Sequence, residues 1–181
     1  MVNGTIRPSK TFASDLFWRL EFANELAWAA MRWCWRWFWR PVMGRICDLQ
    51  IPGAGQVVVS VNTGDHCDPH VHCWDKAWSW EARIRFSFMN NQITFWDFLW
   101  ARNNPRSSVI TEIIRQIGPY LPKCRGDWWQ YYSGSFGCCL KNTQQVDNAG
   151  VYRQVHSATY NATASKTELI FVGGFTREVP L

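Results

Sequence analysis

Three of the four histidines in this 181-residue chain fall within Gly64-Asp65-His66-Cys67-Asp68-Pro69-His70-Val71-His72-Cys73. On a strand, His70 and His72 project from one face with Cα atoms roughly 6.5 to 7 Å apart, the separation at which neighbouring strand positions supply two ligands to one metal ion. His66, on the preceding turn, is the candidate third ligand, with zinc as the cofactor and water in the open position. Asp65, Asp68, Cys67 and Cys73 are nearby alternatives, and a bound cation would turn its water into a hydrolytic nucleophile. A metal-free reading uses one histidine as base and another as acid, with Glu81 as a further candidate catalytic group and Arg83 or Arg85 on a phosphate. A third reading is structural: Pro69 fixes the entry to the strand and the imidazoles hydrogen-bond to backbone or to carboxylates across the sheet.

Each reading depends on the elements that carry these residues. Gln56 to Asn62, with Val57, Val58, Val59 and Val61, reads as a strand, and a second strand begins near His70. Asp75-Lys76 fits a tight connection. From Trp78 to Phe88 the chain alternates: Trp78, Trp80, Ala82, Ile84, Phe86 and Phe88 face one way, Glu81, Arg83 and Arg85 the other. Whether His70 and His72 share the face of Arg83 and Arg85 is a matter of register.

Thr94 with Asp97 three residues on resembles a capping box, which predicts a short helix through Ala101. Asn103-Asn104-Pro105 ends it, and Ser107 or Ser108 caps a second helix from Val109 to Ile117, closed by Gly118-Pro119. Residues 127–132 read as a further helical turn. After Gly134 the composition turns polar, and Val151 to Tyr160 and Glu168 to Val172 predict two strands of a hairpin.

Ahead of the histidines, Ser14 or Asp15 caps a predicted helix that runs to about Arg40, where Pro41 stops it. It aligns Arg32, Arg36 and Arg40 in one row and Trp28, Trp35 and Trp39 in another. Three uses compete for it: packing on the domain or on a second copy, contact with a partner or nucleic acid through Arg32, Trp35, Arg36, Trp39 and Arg40, and binding at a membrane surface. The alternation Trp33, Trp35, Trp37, Trp39 also fits a strand. Ile51-Pro52-Gly53-Ala54-Gly55 marks the expected boundary, dividing the chain into 1–50, 51–133 and a β-rich extension, 134–181.

A formal charge of +5 favours anionic or acidic partners and argues against a strongly acidic mimic of DNA. Seven cysteines without a Cys-x2-Cys pair speak against a disulfide framework and for a reducing cytoplasm. No uninterrupted apolar run approaches the ~20 residues of a membrane span, and no signal-peptide core is present.

The run Asp65-His66-x2-Pro69-His70-x-His72, followed by Glu81-Ala82-x-Ile84, two small helices and a closing aromatic helix, resembles an uncharacterised small bacterial domain family marked by a Pro-Pro-His-x-His motif. The resemblance spans about residues 56 to 133. His66, Pro69, His70, His72 and Glu81 occupy the positions that family's pattern singles out, and Asp68 stands where it has its first proline. Genes of that family often neighbour toxin and antitoxin genes or lie on mobile elements. The family itself has no known activity; its gene setting together with the basic aromatic surface of this chain leads to the expectation of an interaction or inhibitor protein of such a system, acting on a protein or nucleoprotein complex, with Arg83 and Arg85 in the partner surface.

The alternatives are a small metal- or histidine-dependent nuclease and a peripheral membrane protein, and self-association stays open. The expected fold class is α+β: a small antiparallel sheet packed by helices, with an N-terminal Trp-rich helix and a C-terminal β-hairpin.

Overall fold

The computed structural model describes residues 44–62 and 67–181, without the side chains of 133–138. The chain divides into two compact units, Met1–Arg40 and Pro41–Leu181, and the described residues all belong to the second. The predicted Trp-rich helix and His66 lie outside them.

The architecture is mostly β, which corrects the α+β expectation: two antiparallel sheets, of five and four strands, carry the fold. The first is a meander of β1 (Gly44–Ile51), β2 (Gly55–Val61), β3 (His70–Asp75), β4 (Trp80–Phe86) and β5 (Ile93–Ala101), paired in chain order. Helix α1 (Ser107–Ile117), a 3-10 turn (Gly118–Tyr120) and helix α2 (Leu121–Leu140) follow. The second sheet, β6 (Gln144–Val146), β7 (Tyr152–Asn161), β8 (Lys166–Phe171) and β9 (Thr176–Pro180), is again a meander. The expected hairpin is the β7–β8 centre of this sheet, with a strand added on each side.

Two further differences have local causes. The Pro-Gly-Ala-Gly segment joins two paired strands, and Gly53 and Gly55 sit at φ of 81° and 71°, backbone that side chains disfavour. The segment Thr94 to Ala101 is strand β5 and not a helix. Its aromatic and β-branched residues suit a pleated surface, and the Asp97 carboxylate is taken up by Arg83 on β4 instead of capping a helix start.

Strand β4 shows the alternation the sequence predicts, with Trp80, Ala82, Ile84 and Phe86 buried and Glu81, Arg83 and Arg85 half-buried. Those apolar residues join Val57, Val59, Val71 and Cys73 in a core closed by Val109, Ile113 and Ile117 of α1 and by Leu121, Cys124 and Trp128 of α2. Helix α2 also carries a buried arginine: Arg125 donates to the carbonyls of Ser87 and Asn90 at 2.9 and 2.7 Å, so its charge is solvated by peptide dipoles in place of water. Phe88 meets Tyr160 of β7 at 4.9 Å, edge to face, and Thr167 Oγ1 of β8 donates to the Phe88 carbonyl at 2.7 Å. Phe88, two residues past the end of β4, therefore joins the two sheets.

No helix among the described residues is long and apolar enough to cross a membrane.

Candidate functional site

Strand pairing settles which face the histidines occupy. His70 lies opposite Arg85 and His72 opposite Arg83 in the β3–β4 ladder, so both imidazoles share the polar face of β4. All six residues of β3 are buried; His70 is 0% and His72 4% exposed.

The imidazoles are held from both ends. His70 Nδ1 lies 2.7 Å from the carbonyl oxygen of Asp68, and His72 Nδ1 lies 2.8 Å from Glu81 Oε1. Both acceptors lack hydrogens, so each Nδ1 carries the proton and donates. The two Nε2 atoms then face each other at 3.2 Å. Trp100 Nε1 donates to Glu81 Oε2 at 2.9 Å, which fixes the second carboxylate oxygen as well.

Asp68 reaches His70 through an uncommon backbone. Its φ is 76°, in the left-handed region that Asp tolerates better than most residues. Its N–H donates to Cys139 Sγ at 3.1 Å, and its carboxylate lies 3.2 Å from Arg85 Nη2. Proline, fixed near φ of −65° and lacking an N–H, could adopt neither feature.

Strand β5 completes the arrangement with residues that the sequence reading had placed on a helix. The ladder between β4 and β5 slips twice, between Arg83 and Ile84 and between Glu81 and Ala82, so that Trp96 and Leu99 are extra residues in bulges. Bulges re-aim side chains, and here Trp96 comes to carry two cations: the guanidinium carbons of Arg83 and Arg85 lie 4.1 and 3.8 Å from its ring centre. Its ring also meets that of His70 edge to face at 5.2 Å. Arg83 donates to Asp97 through Nε at 2.7 Å and through Nη2, and this hydrogen bond holds the Asp97 carboxyl below its usual range. Among the described residues Arg85 Nε finds no hydrogen-bond acceptor.

The structure therefore gathers five of the sequence candidates, His70, His72, Glu81, Arg83 and Arg85, on one face. Residues Arg32, Trp35, Arg36, Trp39, Arg40 and His66 lie outside the described residues. Trp96, Trp100 and the Asp68 carbonyl are not marked by sequence, and Asp97 is marked there only as a capping residue. The aromatic content of β5 was a usable signal for a strand, but the bulges that aim Trp96 were not legible.

Behind the sheet, burial pushes the Cys124 thiol up to about 12 and the half-buried Cys47 thiol up to about 11. These cysteines behave as small core hydrophobes rather than as nucleophiles. Among the described residues no set of three or more His, Cys, Asp or Glu side chains is grouped to hold a metal ion.

No protein-family model, no curated protein and no solved structure matches this chain.

Proposed function

We propose that the protein works by binding a protein or nucleoprotein partner, as an interaction or inhibitor protein of a mobile-element or toxin-antitoxin-like system. One observation carries the binding role: among the described residues β5 is a nine-residue edge strand, Ile-Thr-Phe-Trp-Asp-Phe-Leu-Trp-Ala, in which no residue is buried. Phe95 and Leu99 are 38% and 45% exposed. An apolar strand at a sheet edge is a contact surface unless something guards it. Its two bulges interrupt the hydrogen-bonding ladder, so a partner engages the side chains of β5 rather than extending the sheet. The system in which it acts comes from the family resemblance alone.

The test compares the wild-type chain with a Phe95→Lys/Leu99→Lys double variant, both checked for fold by circular dichroism and used to capture partners from the source cells. A specific partner retained by the wild type and reduced at least tenfold by the variant supports the reading. Equal capture by both removes β5 as the binding surface.

A histidine-dependent nuclease is the second reading, favoured by the shared face of His70, His72, Arg83 and Arg85. The burial of both imidazoles and the engagement of Arg83 by Asp97 and Trp96 weigh against it. Cleavage of RNA or DNA by the wild type that disappears in His70→Ala would establish it in place of the binding role.

A further inference from the structure

We propose that Cys67 and Cys139 are a site of reversible oxidation, at which a peroxide joins the two thiols in a disulfide that staples the turn before β3 to the end of α2. Both cysteines are free and half-buried, and the fold brings them together from distant parts of the chain. The backbone N–H of Asp68 donates to Cys139 Sγ at 3.1 Å, which sets that sulfur against the residue that follows Cys67. The thiols themselves also meet, that of Cys139 donating to the Cys67 sulfur. Cysteines whose sulfurs already touch can be bridged with little backbone movement, whereas a pair with diverging side chains cannot. Cys73 and Cys124, by contrast, are buried, where an oxidant from solvent does not reach them.

The pair is open to a small oxidant. A cleft of about 250 Å³, lined by Asp68, Pro69, Arg85, Met89, Cys139 and Leu140, lies beside it. Burial, and after it the hydrogen bond to Cys67, push the Cys139 thiol up to about 12, so Cys67 takes the first step. Its thiolate attacks one oxygen of hydrogen peroxide and the O–O bond breaks. Cys67 becomes a sulfenic acid, and the departing hydroxide takes a proton and leaves as water. Cys139 then gives up its proton and attacks the Cys67 sulfur. The S–S bond forms as the S–OH bond breaks, and a second water leaves. Two electrons have passed from the sulfurs to the peroxide. Cys139 succeeds here despite its raised pKa because it stands beside the sulfur it attacks, an advantage that a thiol in solution lacks.

The link turns a hydrogen-bonded contact into a covalent one. Strands β3, β4 and β5 and helix α1 lie between the two cysteines, so the closed loop is long and takes much freedom from the unfolded chain. The turn it fixes is the one whose Asp68 carbonyl lies against His70 Nδ1. Oxidation should therefore stabilise the fold, and reductant should undo it. Neither depends on what β5 contacts.

The experiment uses the full chain, reduced, freed of reductant and treated with hydrogen peroxide. The product is expected to have lost two hydrogens, to show Cys67 linked to Cys139 in its peptide map, and to melt at least about 4 °C above the reduced chain. Dithiothreitol should reverse both the link and the Tm rise. The same treatment in urea should scatter oxidation over the seven cysteines, because no fold then pairs them. Cys67→Ser and Cys139→Ser should each abolish the link and the Tm rise, with circular dichroism checking that they fold. If either variant fails to fold, the wild-type peptide map decides. A folded wild type that stays reduced, that takes Cys67 to sulfinic acid without a link, or that links other cysteines would overturn the proposal. An unchanged Tm in the linked chain would overturn the stapling role.

Discussion

Asp68 shows how one residue sets the geometry around a histidine. A left-handed backbone aims its carbonyl at His70 Nδ1, its N–H reaches Cys139, and its side chain meets Arg85. Asp68→Pro should therefore destabilise the fold by more than about 1 kcal/mol, since proline can neither take this φ nor donate. Asp68→Gly, free to adopt positive φ, should lose only an exposed ion pair and stay within about 1 kcal/mol of the wild type. Urea unfolding of both variants checks the ordering, and a Pro variant as stable as the Gly variant would mean that the turn is not fixed as described.

At the scale of elements, the pairing of β4 with β5 decides the chemistry of the polar face. Arg83 on one strand and Asp97 on the other are joined by hydrogen bonds that hold the carboxyl below its usual range. A carboxyl whose folded value is depressed contributes stability that is complete above its unfolded pKa of about 3.9 and is lost as pH falls through the lower folded value. The contribution of Asp97 should thus be full at neutral pH and fade below about pH 4. Asp97→Asn should be less stable than the wild type at pH 7, with the difference shrinking towards pH 2. Unfolding curves across that range test it, and a gap that widens on acidification would contradict the pairing.

For the whole molecule, the two sheets share one core. Trp128 of α2 is 0% exposed and lies against Phe88, which also meets Tyr160 of the second sheet. Trp128→Ala should cost about 3–5 kcal/mol, the usual range for removing a large buried aromatic. The loss should lower a single transition, since Phe88 and Thr167 couple the sheets. Calorimetry showing two separate transitions, only one of them moved by Trp128→Ala, would mean that the sheets fold independently.

Much of this was legible in the residues. The period of two read from Trp78 to Phe88 marked the strand that the fold holds as β4 from Trp80 to Phe86, because alternating burial has no other common cause. A serine cap at Ser107 or Ser108 and the stop at Gly118-Pro119 marked α1, and the density of ligand types marked His70 and His72. Strand β5 was misread because Thr94 and Asp97 fit a capping box equally well; only the position of Arg83 across the ladder shows what Asp97 does. The same limit explains the missing strands β1, β6 and β9, which are fixed by pairing with their neighbours rather than by a pattern of their own.

The sequence by itself determined that two imidazoles leave one face of a strand, since side-chain direction follows from local backbone geometry. Only the tertiary structure decided what faces them. Register put Glu81, Arg83 and Arg85 on the same side, bulges in β5 delivered Trp96, and a left-handed residue turned a carbonyl to His70. These are pairings between distant segments, and one residue of slip in the ladder would move every one of those side chains to the opposite face.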